Sequence, residues 1–131
     1  MNRLHPRTRL ALALILACGV VRAADAPVLP LDTGNFVIAS YPRCEEAPLA
    51  GVVSFDGRSL VGPHDSDCHT EILEHDGSSY RIRRGCRADG SGKPEVPADF
   101  VQTVRVESRT RMALTGLDGQ TKEYALCPGF H

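Results

Sequence analysis

The densest run of side chains able to do chemistry is His64-Asp65-Ser66-Asp67-Cys68-His69, with His75 further on. Imidazole and carboxylate together suit zinc or another divalent ion, which would activate a water for hydrolysis. Spacing weighs against a shared ion. On one extended strand His69 and His75 occupy the same face but stand about 20 Å apart, and His64 meets His69 only if the chain curls between them. Asp65-Ser66-Asp67 matches the opening of a calcium loop, but that loop needs a glycine at its sixth position and a glutamate at its twelfth. Thr70 and Asp76 stand there. No cofactor is expected, and His64, Asp65, Asp67 and His69 are the candidates should a metal bind.

Other catalytic patterns also fall short. Gly57-Arg58-Ser59-Leu60-Val61-Gly62 has one residue too many for G-x-S-x-G and lacks the strand–elbow–helix context. Gly90-Ser91-Gly92-Lys93 is followed by Pro94, where a phosphate-binding loop would open a helix. Glu45 and Glu46 are neighbours, and neighbours on a strand face opposite ways. Arg81, Arg83, Arg84 and Arg87 cluster. Arg105, Arg109 and Arg111 alternate so as to share one face, a positive stripe that would dock an acidic partner.

Elements able to hold these residues are strands. Asp-Gly, a pair suited to tight turns, occurs at Asp56-Gly57, Asp76-Gly77, Asp89-Gly90 and Asp118-Gly119. Three of these separate strand-like runs: Gly51–Phe55 from Arg58–Val61, Cys68–His75 from Ser79–Cys86, and Met112–Leu117 from Gln120–Cys127. Asn35–Ser40 and Val101–Glu107 complete the set, with a turn near Glu107–Thr110. No stretch carries helical apolar periodicity over three turns, and the unequal Asp-Gly spacing excludes a propeller or solenoid. An all-β antiparallel meander of about 7–8 strands is expected, closed as a barrel or folded as a sandwich. Residues 87–99, rich in Gly and Pro, form its natural mobile loop.

Register then orders the cysteines. A loop centred on Gly77 sets Cys68 opposite Cys86, Ile72 opposite Ile82, Glu71 opposite Arg83 and Asp67 opposite Arg87. One face becomes apolar with Thr70, Ile72, Tyr80 and Ile82, and the other pairs opposite charges. Cys68–Cys86 is the expected disulfide, which leaves Cys44–Cys127. Four cysteines allow three connectivities.

The first residues explain why these cysteines would be oxidised. Arg3, Arg7 and Arg9 precede an apolar run from Leu10 to Val21, and Val21-Arg22-Ala23 supplies a small-residue cleavage site. Residues 1–23 are expected to be a signal peptide, too short in its apolar part for a transmembrane span. Ile15-Leu16-Ala17-Cys18-Gly19 resembles a lipobox, an alternative that would anchor the chain through a lipid on Cys18. Either route leads to a disulfide-permissive compartment, periplasmic or extracellular. Residues 24–34 read as a flexible tether and 35–131 as the domain. The leader holds four of the 15 basic side chains and no acid, so the remainder has 11 basic against 16 acidic groups, net −5. That balance excludes a general nucleic-acid binder and polybasic adhesion to lipid.

Three short motifs resemble periplasmic and lipid-anchored inhibitors of c-type lysozymes. They are Tyr41-Pro42-Arg43-Cys44, Asp76-Gly77-Ser78-Ser79-Tyr80 and Tyr124-Ala125-Leu126-Cys127. In that family a disulfide ties an early Tyr-x-Cys to a late cysteine of a small exported β-barrel, and a Ser-Gly-x-x-Tyr loop enters the lysozyme cleft. Here one extra residue precedes Cys44, and Asp76 replaces the serine. The expected function is a non-catalytic exported domain that binds a protein or envelope component. Its candidate surface is Asp76, Ser78, Ser79 and Tyr80 with Arg105, Arg109 and Arg111. Alternatives are a lysozyme inhibitor and a small metal-dependent hydrolase.

Overall fold

A computed structural model describes residues 26–89 and 100–130. The leader, Cys18 and most of the 87–99 loop lie outside these. Ten strands follow in chain order: β1 (Gly34–Ile38), β2 (Val52–Phe55), β3 (Leu60–Val61), β4 (Asp65–Ser66), β5 (His69–Asp76), β6 (Ser79–Gly85), β7 (Ala88–Asp89), β8 (Phe100–Ser108), β9 (Arg111–Thr115) and β10 (Thr121–Leu126). Helical structure among the described residues is confined to two 3-10 turns, Cys44–Glu46 and Leu49–Gly51.

Eight strands form one antiparallel sheet in the order β3-β2-β1-β10-β9-β8-β6-β5, and β4 pairs with β7 in a separate short ribbon. β1 pairs with both β2 and β10, which joins the first strands to the last and curls the meander into a nearly closed barrel. The remaining seam, between β3 and β5, is bridged by side chains. Ser59 Oγ donates to the Cys68 carbonyl at 2.6 Å, and the Leu60 N–H donates to Thr70 Oγ1 at 3.2 Å. A barrel rather than a sandwich is therefore the architecture, and closure protects strand edges that would otherwise invite pairing with other chains.

Alternation fills the interior. Phe36, Val53, Phe55, Leu60, Ile82, Val104, Val106, Met112, Leu114 and Tyr124 point inward from seven of the eight strands. Leu29 and Leu31 join them. The stretch 24–34, expected as a free tether, is thus part of the packed structure over Val28–Asp32. Val28 N–H donates to Gly57 O and Asp32 N–H to Arg109 O, so this segment spans from the β2–β3 turn to the β8–β9 turn and plugs that end of the barrel. Burying each leucine stabilises by roughly 1.5–3 kcal/mol, which acts with these backbone hydrogen bonds against the entropy of ordering the segment. Pro30 and the brevity of the apolar pattern made it read as a linker.

A second, smaller core lies on the outer face. Val37, Val52 and Cys127 are covered there by Cys44, Ala47 and Phe130. The Cys44–Cys127 disulfide clamps this patch, and Cys68–Cys86 joins the open ends of the β5–β6 hairpin. Cys68–Cys86 agrees with the register reading, and Cys44–Cys127 is the pairing it left.

Candidate functional site

The β5–β6 hairpin places most of the sequence candidates. Glu71 pairs with Arg83 and Ile72 with Ile82, as expected, but the register then shifts at Leu73, and Glu74 faces Arg81, His75 faces Tyr80 and Asp76 faces Ser79. The turn is therefore a two-residue loop, Gly77-Ser78, rather than three residues centred on Gly77, and a β-bulge at Leu73 takes up the difference. Gly77 has φ +57°, the positive φ that such loops require at their first position.

The bulge corrects one placement. Beyond it the alternation inverts, so His75 leaves the face of His69 and stacks on Tyr80, with ring centroids 4.2 Å apart and planes 10° from parallel. His75 Nε2 lies 2.6 Å from Gly77 O, closing the tip of the hairpin. Tyr80 in turn packs against the barrel core. Asp76, Gly77 and Ser78 stand exposed on this braced tip, while Ser79 is half-buried.

Metal-ligand candidates do not converge. Asp65 Oδ2 accepts from the Gly62 N–H at 3.0 Å and from Arg84 at 3.1 Å. A Cβ on Gly62 would lie 2.5 Å from that oxygen, so only glycine permits the approach. Asp67, at φ +52°, accepts from Arg87 at 2.7 Å. His64 is exposed on the turn before β4, and the His69 ring lies over Gly85 on the outer face. Among the described residues three potential ligands, Asp65, Cys68 and Cys86, do lie within 4.8 Å of one another, but the two sulfurs are joined to each other and offer no thiolate. Ser59 is buried and spends its hydroxyl on the barrel seam. Glu45 and Glu46 occupy a 3-10 turn rather than a strand, and Glu46 accepts from Arg43.

The expected arginine stripe is interleaved with acids. Arg105 donates to Glu107 at 3.0 Å, and Arg111 lies 3.9 Å from both Glu107 and Glu123. Arg109 leaves the row altogether. A register shift between Val106 and Ser108 places it on the β8–β9 turn, where its Nε donates to Asp32 at 2.7 Å. Exposed pairs of this kind contribute about 0–1 kcal/mol each and leave a mixed-charge surface.

The barrel's two ends differ. The β2–β3, β5–β6 and β8–β9 turns lie at the end plugged by Leu29 and Leu31. At the opposite end the β9–β10 turn overhangs a cavity of about 370 Å³ lined by Gln102, Leu114, Leu117, Lys122 and Tyr124 among others. Gln102 is only 7 % exposed, and among the described residues its Oε1 has no hydrogen-bond partner. Burial pushes the Tyr124 phenol above its usual range, with the Arg84 guanidinium opposing. None of the candidate residues read from the sequence lines this cavity, and its one mark in the chain is a polar residue on the apolar face of β8, in the series Phe100, Gln102, Val104, Val106.

Comparison with known proteins finds no matching family model, curated protein or solved structure.

Proposed function

We propose that this chain is a non-catalytic exported domain that docks a macromolecular partner, a protein or an envelope component, through the tip of the β5–β6 hairpin. The observation that carries this reading is the braced loop itself. Its exposed residues Asp76, Gly77 and Ser78 are held by the His75–Tyr80 stack and by the anchoring of Tyr80 in the core. A loop already ordered in its bound shape loses little entropy on association. The leader-like residues 1–23 and two disulfides support a periplasmic or extracellular location, with lipidation at Cys18 as the alternative route. Among the described residues no helix is long and apolar enough to cross a membrane.

A lysozyme-inhibitor role is a second reading, favoured by one specific feature. The Cys44–Cys127 crosslink ties an early Tyr-x-x-Cys to the last strand of a small barrel, as the resemblance implies, and the Asp76–Tyr80 motif forms an exposed hairpin tip. A metal-dependent hydrolase draws no support from carboxylates already engaged by Arg84 and Arg87.

Two measurements test these readings. The purified, disulfide-bonded protein is immobilised beside a Ser78→Arg variant and exposed to envelope extract. A partner retained by the wild type and lost by the variant is expected, whereas equal retention removes the hairpin from the interface. In a turbidity assay with a c-type lysozyme, the inhibitor reading expects added wild type to slow lysis more than the variant does. Unaltered lysis drops that reading and leaves the broader one in place.

A further inference from the structure

The barrel end beneath the β9–β10 turn carries an arrangement that folding alone does not explain. Gln102 sits among Ile82, Leu114 and Tyr124 on the inner face, buried, and its Oε1 has no partner among the described residues. A buried acceptor without a partner destabilises a fold by about 1–3 kcal/mol, and leucine at the same position would remove that cost. On the rim of the same cavity Leu117 is 70 % exposed at the β9–β10 turn. Lys122 also lines it and makes no ion pair with any described residue. Among the described residues these are an acceptor without a donor, an apolar side chain without cover and a cation without an anion. All three border one cavity of about 370 Å³, at the small end of the range that ligand sites occupy.

We propose that this end of the barrel binds a small amphiphilic monoacid that carries a hydrogen-bond donor. The donor, an O–H or N–H, satisfies Gln102 Oε1 once a turn of the buried amide brings that oxygen to the cavity wall. The apolar body lies against Leu114, Leu117 and the Tyr124 ring, and the carboxylate faces Lys122. Asp118 shares the rim and already accepts the Gln120 N–H at 3.0 Å. Its charge disfavours a second acidic group, which restricts the ligand to one. The site is independent of the hairpin reading, because the β5–β6 tip and this cavity occupy opposite ends of the barrel. Its chemistry requires no covalent step.

Calorimetric titration of the intact protein with three probes tests the assignment: 3-hydroxyoctanoate, octanoate, which lacks the donor, and 1,3-octanediol, which lacks the acid. One 3-hydroxyoctanoate per chain is expected, with each analogue about tenfold or more weaker, a difference of about 1.4 kcal/mol. Two variants locate the site. Gln102→Leu is expected to melt no lower than wild type and to lose the preference for the hydroxy acid over octanoate. Lys122→Ala, a surface change, is expected to weaken both acids alike and leave the diol unaffected. The absence of saturable binding by every probe overturns the proposal, as does undiminished binding of 3-hydroxyoctanoate to both variants.

Discussion

Asp65, Arg84 and Tyr124 show how polar residues survive near the barrel interior. Arg84 points inward from β6, half-buried, and its charge is met by Asp65 and by the face of Phe100 at 5.3 Å. Tyr124 lies close enough to feel that guanidinium, yet loss of water around its ring outweighs the attraction, and the phenol holds its proton more tightly than in the unfolded chain. The linkage follows directly. A group whose folded value is raised contributes stability that is complete below the unfolded value, about pH 10, and is lost as pH rises through the folded value. Tyr124 therefore penalises the fold only in alkali. Urea unfolding between about pH 8 and pH 11.5 is expected to show a midpoint that falls more steeply for wild type than for Tyr124→Phe. Parallel curves would mean that the hydroxyl titrates as it does in an unfolded chain.

Strand pairing was largely legible in the chain, and the β5–β6 hairpin shows both the reach and the limit of that reading. Alternation of Thr70, Ile72 and Ile82 against Glu71 and Arg83 fixes which residues oppose one another near the disulfide, because a one-residue slip would bury charge. It does not reveal the bulge at Leu73. An extra residue on one strand and a shorter turn leave the distant register unchanged, so two departures cancel, and only His75 and the tip betray them. Residues 28–32 were illegible for a different reason. Their two leucines carry no period of their own and gain meaning only from the open barrel end they fill. At the candidate site the hairpin tip was visible as a turn motif, whereas Gln102 appeared only as a polar interruption of an apolar face. The turn type has its own consequence. Gly77 has φ +57°, and a Cβ there would touch nothing within 4 Å. Gly77→Ala therefore tests backbone strain alone and is expected to lower stability by about 1 kcal/mol, with Gly77→Asn milder. Equal urea midpoints for Gly77→Ala and wild type would show that the loop adopts another conformation in solution.

The whole molecule is a small barrel stabilised by crosslinks at two ranges. Cys44 and Cys127 are separated by 83 residues in sequence, and Cys68 and Cys86 by 18. In the chain-entropy model these closures stabilise by about 4.5 and about 3 kcal/mol respectively. Position sharpens the contrast. The long-range crosslink joins the 3-10 turn at Cys44 to the end of β10 and covers Val37 and Val52, so removing it frees both the chain and a patch of buried surface. The short-range crosslink joins strands that β5–β6 hydrogen bonds already align, and the seam bond from Ser59 goes to the Cys68 backbone carbonyl, which survives loss of the sulfur. Cys44→Ala/Cys127→Ala is therefore expected to be the more damaging double substitution, by about 1.5 kcal/mol or more. Both variants are measured by urea unfolding under non-reducing conditions. The reverse order would mean that closing the β3–β5 seam, rather than restricting the unfolded chain, is what the crosslinks chiefly do, and the barrel would then be held together across that seam.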